Sequence, residues 1–273
     1  MSKRILIFGK GFIGQRLKKE LKCSLTARKV YRYQTITDEI KRHKPSVIIN
    51  AIGVTGKRNV DDCELEFDKT ISANTFVPIL FAEAAFRHKI KLVHLSSGCI
   101  YHFDYKHQKP ISETFVPDYY DLYYSRSKIY AELVLNEMAK RRNILIARVR
   151  IPLDNRSHPK NIINKLVRYK TVIDIPNSVT YIPDFVKMLK HLIKKDVRGI
   201  FNTVNKGGLK YSKLMAVYKS HVPDFQYSIL PLRKLNLKRT NLLLSTRKLQ
   251  ETGFKVRRIE DVLEECVREY VRY

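Results

Sequence analysis

The sequence predicts an α/β fold, a doubly wound parallel sheet followed by a smaller C-terminal region. Three observations lead there. Short apolar runs alternate with longer amphipathic stretches from residue 5 to about residue 150, the rhythm of strand–helix repeats joined by right-handed crossovers. The chain opens on Ile5-Leu6-Ile7-Phe8, the length and composition of a buried parallel strand, followed at once by Gly9-Lys10-Gly11-Phe12-Ile13-Gly14 and a helical stretch. Beyond Ile151 the alternation loosens without any low-complexity linker, so the second region is woven into the first.

Taken in order, Ser24-Leu25-Thr26 reads as the second strand, and a helix near 36–43 follows with Thr37 as its cap. Ser46–Ala51 is the third strand, 61–88 one long helix, and 90–97 the fourth strand. A polar loop from Tyr101 to about Asp121 leads to a helix over 123–141 and a fifth strand over 143–150. Residues 1–151 therefore form a nucleotide-binding domain. Residues 152–273 are a mixed part: a helix over 161–170, an extended stretch over 171–179, and elements returning to the first domain over about 179–205, among them a helix over 183–195 and a strand over 198–205. A helix over 211–221 and a final amphipathic helix near 259–272 complete it.

Composition narrows the function classes. No apolar run approaches the roughly 18–20 residues of a membrane span, and the chain enters a strand with no leader pattern ahead of it. Cys23, Cys63, Cys99 and Cys266 are scattered, which speaks against disulfides and zinc and for the reducing cytoplasm. None of the eight histidines sits in a ligand spacing. The net charge is +27, and residues 141–273 hold 29 Lys and Arg against 11 Asp and Glu, a net +18. Such a balance is compatible with nucleic acid. Its dispersion, with no run of five like charges, points instead to a solvated basic surface that also suits anionic ligands.

The opening motif carries chemistry. Gly9 makes the tight turn, Gly11 lets backbone approach a pyrophosphate, and Gly14 lets helix and strand pack closely. The helix N-terminus adds free N–H groups and partial positive charge. Past the second strand come Arg28 and Lys29, with no carboxylate before Asp38. A cation there suits a 2′-phosphate, so the expected cofactor is NADP(H). Tyr124-Ser-Arg-Ser-Lys128 opens a helix and sets phenol and ammonium on one face. A lysine beside a tyrosine favours the phenolate and suits the pair to proton transfer. Tyr105 and Lys109 share the spacing but precede Pro110 in the polar loop, where no helix holds them together. Ser96 and Ser97 end the fourth strand, in place to hydrogen-bond a carbonyl.

Strand-end Ser97, helical Tyr124 and Lys128, and the N-terminal glycine motif together resemble the extended short-chain dehydrogenase/reductases, whose nucleotide domain is a Rossmann fold. More closely, Asn50–Gly56, Asn59–Glu64, Ser97-Gly-Cys-Ile-Tyr101, Arg148–Pro152, Asn161-Ile-Ile-Asn-Lys165 and Ile175–Ser178 recur in order in one group. That stretch is similar to the bifunctional UDP-4-keto-6-deoxyglucose 3,5-epimerase/4-reductases, and more distantly to dTDP-4-keto-rhamnose reductases. The likeness runs from residue 5 to about 225. Ser97 stands where the plant-type pattern has Thr, and Ser96 where it has Ala.

The resemblance implies conversion of UDP-4-keto-6-deoxy-D-glucose to UDP-L-rhamnose. It gives Ser97 the polarisation of the keto group, Tyr124 the proton, and Lys128 the nicotinamide ribose and the tuning of Tyr124. It gives Cys99 and Lys165 the acid and base work at C3 and C5. Cofactor contacts are implied at Gly9, Gly11, Phe12, Ile13, Gly14, Arg28, Ala51 and Lys128, and substrate contacts at Thr55, Gly56, Ser97 and Asn161. Asn74 falls on an asparagine position common in these enzymes. An upstream UDP-glucose 4,6-dehydratase is implied as pathway partner, as is a homodimer through the helices over 61–88 and 123–141. The alternatives are a reductase without epimerase activity on a dTDP- or UDP-linked sugar, and a reductase-like scaffold that binds nucleic acid.

Overall fold

A computed structural model of the chain describes residues 3–103, 109–231, 234 and 240–273; Tyr105 and His107 lie outside the described residues. In chain order the elements are β1 (Ile5–Phe8), α1 (Phe12–Leu21), β2 (Ser24–Thr26), α2 (Tyr33–His43), β3 (Val47–Asn50), α3 (Phe67–Ile71), α4 (Val77–Arg87), β4 (Lys91–Ser97), α5 (Tyr123–Ala139) and β5 (Ile144–Val149). There follow β6 (Pro152–Leu153), α6 (Ile162–Tyr169), β7 (Thr171–Ile173), β8 (Thr180–Tyr181), α7 (Ile182–Lys194), β9 (Gly199–Asn202), α8 (Tyr211–His221), β10 (Ser228–Leu230), α9 (Arg247–Glu251) and α10 (Leu263–Arg272). The described chain divides into two units. The first holds residues 3–100, 117–148 and 192–201; the second holds the described parts of 101–116, 149–191 and 202–273.

The first unit is built on a six-stranded sheet of order β2-β1-β3-β4-β5-β9. Its parallel registers pair Ile7 with Leu25 and Ile49, and Ile49 with Val93. Both faces are covered, so β1, β3, β4 and β5 are almost wholly buried and mainly apolar, with Asn50, Lys91, His94, Ser96, Ser97 and Arg148 as buried polar members. On one face Leu6, Phe8, Ile48, Leu92 and Ile146 meet Ile36 and Ile40 of α2, Phe81 and Ala85 of α4, and Leu135 of α5. Phe8 and Phe81 cross edge to face with centroids 4.7 Å apart. Helices α1 and α2 end on left-handed lysines, Lys22 and Lys44. Each charge complements the helix dipole at a position that ordinarily favours glycine.

Two helix assignments are corrected. Helix α2 starts at Tyr33, not near 36; Thr37 lies inside it, its hydroxyl donating to the Gln34 carbonyl at 2.9 Å. The single helix expected over 61–88 is four pieces: a 3-10 turn (Val60–Leu65), α3, a π-helical turn (Ser72–Phe76) and α4. Asn59 caps the first piece by accepting the Asp61 N–H at 2.9 Å. Pro78 has no N–H to return to the carbonyl of Asn74, so the ladder widens there by one residue.

In the second unit β6 pairs with β8 and β7 with β10, all parallel. Helices α6, α8 and α10 close over Leu153, Val172 and Tyr181. Arg257 joins Asp184 to Glu265. The division differs from the expected one: residues 101–116 group with the second unit, the boundary falls after Arg148, and the segment returning to the first unit is 192–201 rather than 179–205. The return is short because β8 is committed to β6. No helix among the described residues is long and apolar enough to cross a membrane.

Candidate active site

The glycine turn separates three roles cleanly. Gly9 has φ +105°, and a Cβ on it would lie 2.8 Å from both the carbonyl carbon and oxygen of Ala51. A Cβ on Gly14 would lie 1.9 Å from the Gly9 carbonyl oxygen. These two glycines are required by packing: Ala51, the residue after β3, the turn after β1 and the first turn of α1 are in contact. Gly11 is different. It precedes α1 in extended conformation (φ −75°), is exposed, and a Cβ there would meet nothing within 4 Å. The protein leaves open the space in front of the free N–H groups of α1, where Phe12 is the first helical residue and Ile13 is half-buried. This is the shape a dinucleotide pyrophosphate fits.

Arg28 follows β2, its N–H turned back onto the Thr26 hydroxyl at 3.2 Å. Its side chain is exposed, with Nε 3.5 Å from Glu39. Glu39 is the acid that sequence reasoning did not place near this strand end. It is buried beneath Arg28 and orients that guanidinium rather than facing a ligand.

The second cluster joins β4 to α5. Ser97, buried at the strand end, accepts the Cys99 N–H at 3.1 Å. The Cys99 carbonyl accepts the Ser125 hydroxyl at 2.6 Å. Ser125 follows Tyr124 in the first turn of α5, so two hydrogen bonds hold Ser97, Cys99 and the Tyr124 turn as one piece. Ser127 donates to the Tyr124 carbonyl at 2.7 Å and accepts from Asn74 Nδ2 at 3.1 Å. Asn74 lies in the π-helical turn, fully buried. It also bonds Val54 on both sides, accepting its N–H at 2.9 Å and donating to its carbonyl at 3.0 Å. The loop bearing Thr55 and Gly56 is thereby tied to the helix bearing Tyr124 and Lys128.

Lys128 is 4% exposed. A Cβ on Gly53 would approach its Nζ to 3.3 Å and Asn74 Oδ1 to 3.4 Å, so the ammonium sits against the loop after β3. Burial brings its pKa down to about 8, with Cys63 and Glu132 acting in the other direction. Below it, Asn50 accepts the Ile52 N–H at 3.0 Å through Oδ1, which turns its Nδ2 to His94 Nδ1 at 3.2 Å. His94 Nδ1 is then the acceptor and Nε2 carries the proton. Burial, helped by the charge of Lys128, holds this imidazole neutral, its pKa well below the ordinary value. Ser96 also acquires a partner: its hydroxyl donates to Glu132 at 2.9 Å, and Glu132 takes the fully buried Arg148 through Nε at 3.1 Å.

Cys99 is half-buried in the first unit, and Lys165 is half-buried on α6 of the second. Asn161 departs from its expected substrate role. It is fully buried, caps α6, accepts from Asp154 N and Ile163 N, and donates to the carbonyls of Asp154 and Arg156. All four of its hydrogen-bond positions are used within the fold, so it shapes α6 instead of contacting a ligand. Sequence reasoning missed Asn50, Gly53, Glu64, Glu132 and His94. Of these, Asn50, Gly53 and Glu64 lie inside the quoted motifs, but the groups they meet are set only by tertiary folding.

Comparison with known proteins bears on this arrangement. The chain is 32% identical over 196 residues to a trifunctional UDP-glucose 4,6-dehydratase/UDP-4-keto-6-deoxy-D-glucose 3,5-epimerase/UDP-4-keto-L-rhamnose-reductase of Arabidopsis thaliana, covering 70% of this chain and 29% of the plant protein. It thus spans about a third of the length of the plant enzymes of that name. The fold is that of the L780 UDP-rhamnose synthase of Acanthamoeba polyphaga mimivirus (TM-score 0.89, 24% identity, 98% of this chain and 100% of that one). It is also that of a dTDP-4-dehydrorhamnose reductase of Bacillus anthracis in complex with NADP (TM-score 0.83, 21% identity, 98% and 99%). The glycine turn, the strand-end serine and the Tyr–Lys helix lie within one match to the RmlD substrate binding domain model that extends over residues 3–272, and the chain belongs to that family.

Proposed function

We propose that the chain is a bifunctional 3,5-epimerase/4-reductase that converts UDP-4-keto-6-deoxy-D-glucose to UDP-L-rhamnose. The observation that carries the reading is the hydrogen-bonded run Ser97–Cys99–Ser125, which joins the strand-end hydroxyl and the Tyr124 turn. NADPH, when bound, supplies hydride to C4. Gly9, Gly11, Phe12, Ile13, Gly14 and Ala51 would hold its pyrophosphate end, Arg28 its 2′-phosphate, and Lys128 its nicotinamide ribose. The preference for NADPH over NADH rests on Arg28 and on the burial of Glu39, the acid 3.5 Å from it.

In the reduction Ser97 donates a hydrogen bond to the C4 oxygen and Tyr124 delivers the proton that makes it a hydroxyl. Lys128, buried beside the loop after β3, supplies the positive charge that eases loss of the phenolic proton. The 4-keto group acidifies the hydrogens on C3 and C5. Cys99 and Lys165 remove and return those protons on opposite faces, and Thr55 and Gly56 contact the sugar. The likeness of this chain to the plant enzymes supports that assignment, as does the half-buried setting of both side chains. A UDP-glucose 4,6-dehydratase would supply the substrate. The apolar face formed by Phe67, Phe76, Tyr130 and Leu133, each 42–57% exposed on α3, the π-helical turn and α5, supports a homodimer through these helices.

The test is incubation with UDP-4-keto-6-deoxyglucose and NADPH in deuterated water, followed by absorbance at 340 nm and NMR of the sugar. Deuterium at C3 and C5 of a rhamnose-configured product is the expected result. Reduction without deuterium at those carbons would leave a reductase and remove the epimerase. No consumption of NADPH would refute the substrate assignment.

A further inference from the structure

The start of α5 is held from outside the helix. Leu122, at the N-cap position, has no side chain able to accept the first N–H groups, and the first turn carries no acid. Such a helix leaves its opening donors unsatisfied unless another element reaches them. Glu64 does so: Oε1 accepts the Tyr123 N–H at 2.6 Å, and Oε2 lies 3.7 Å from Arg126 of the same turn. Tyr123 is the residue before Tyr124, and its ring meets Phe67 edge to face at 4.5 Å.

Glu64 belongs to the 3-10 turn that follows the Thr55–Gly56 loop. That turn is locked to the loop at its other end. Gly56 has φ +68°, and a Cβ on it would lie 1.9 Å from the Asn59 carbonyl and 2.8 Å from Asp62 Cβ. Asn59 caps the turn, and Asp62 accepts the Arg58 N–H at 2.8 Å. One compact segment therefore runs from the Thr55–Gly56 loop to the first backbone donor of α5.

We infer that Glu64 is a positioning residue. By fixing the first turn of α5 to the Thr55–Gly56 segment, it sets the Tyr124 phenol at the distance from the sugar that proton transfer requires. This rests on the proposed reductase reading. A displacement of about 1 Å at a reacting group is worth as much as a hundredfold in rate, so one hydrogen bond two positions removed from the chemistry is enough to matter.

The experiment compares wild type, Glu64→Ala and Glu64→Gln. It measures kcat, KM for each substrate, the solvent isotope effect on kcat, and amide exchange over residues 123–128. Glu64→Ala is expected to lower kcat by about 10–100-fold, to leave KM for NADPH within about twofold and to raise the solvent isotope effect as transfer from Tyr124 becomes limiting. It is also expected to abolish protection at Tyr123. Glu64→Gln keeps a carbonyl acceptor and is expected to recover most of each quantity. A loss of folded protein alone would scale kcat without changing the isotope effect. Wild-type kcat in Glu64→Ala, an unchanged isotope effect, or a Gln variant as impaired as the Ala variant would overturn the inference. If wild type itself leaves the sugar untouched, the proposed function fails, and the exchange data decide separately: equal protection in wild type and Glu64→Ala overturns the anchoring of α5.

Discussion

Replacing each glycine of the first turn by alanine separates the packing requirement from the ligand requirement. In Gly14→Ala the new methyl would start 1.9 Å from the Gly9 carbonyl oxygen. Ordinary contact begins near 3.4 Å, so α1 must retreat from the sheet by roughly 1.5 Å, a strain at or above the upper end of the ~1–3 kcal/mol typical of overpacking. At about 2–4 °C per kcal/mol for a chain approaching this size, Tm falls by roughly 6–12 °C for a 3 kcal/mol loss. Gly9→Ala incurs both the 2.8 Å clash with Ala51 and a φ of +105°, and is expected to be no milder. Gly11→Ala has φ −75° and meets nothing within 4 Å. Its stability should stay within about 0.5 kcal/mol of wild type, while NADPH affinity drops at least tenfold, or about 1.4 kcal/mol, because the methyl occupies the space left for the pyrophosphate. Differential scanning fluorimetry and NADPH fluorescence titration measure the two quantities. A Gly11→Ala protein that melts as low as Gly14→Ala, or that binds NADPH as tightly as wild type, would refute the reasoning.

Three further outcomes are expected. The folded pKa of Lys128, about 8, lies below its unfolded value of about 10.4. The unfolded chain therefore binds the extra proton between those pH values, and this group's cost to stability is complete below pH 8 and disappears as pH rises toward 10.4. Cofactor-free Lys128→Met should melt higher than wild type at pH 7, with the gap closing by about pH 10; a lower melting temperature at pH 7 would contradict the burial cost. Arg148→Met leaves the Glu132 carboxylate buried with the Ser96 hydroxyl and the charge of Lys128 and is expected to cost about 3–5 kcal/mol in urea unfolding, most of it recovered in the double variant Arg148→Met/Glu132→Leu. Leu133→Asp, placed on the exposed apolar face of α5, should convert a dimer to a monomer by light scattering; a wild-type monomer at tens of micromolar would remove the proposed homodimer.

What the sequence revealed follows from which interactions are local. The strands are legible because both faces of a parallel sheet are buried, which leaves continuous apolar runs such as Val47–Ile49. Gly9 and Gly14 are legible because a backbone contact under 3 Å or a positive φ admits no other residue. Tyr124 and Lys128 are legible by spacing on one helix. The start of α2 was not, because Arg32 at the N-cap position offers no capping side chain and Thr37 imitates one. The break in the 61–88 helix was written in Pro78, but only as the carbonyl of Asn74 it cannot reach. Partners such as Glu132 for Ser96, 36 residues away, have no local signature at all. Part of the basic charge also became intelligible: Lys22, Lys44, Lys89 and Lys170 all take left-handed positions at or just beyond helix ends, where a cation complements the dipole.

These long-range contacts explain why α5 holds a fixed place despite having little intrinsic reason to. It lacks a side-chain cap of its own and buries a lysine, a glutamate and two serines on the face where most helices bury only apolar groups. Isolated, such a helix would be marginal. Its first turn and a half instead donates hydrogen bonds to Glu64 and to the Cys99 carbonyl and accepts them from Asn74 and Thr75, partners on the 3-10 turn, the end of β4 and the π-helical turn. Each fixes the helix in a different direction, and together they offset the burial of Lys128. A helix free to slide would satisfy the same apolar contacts at several registers. One held through Tyr123, Ser125 and Ser127 can present Tyr124 and Lys128 in only one, and that single register is what a proton donor aimed at one oxygen of one sugar requires.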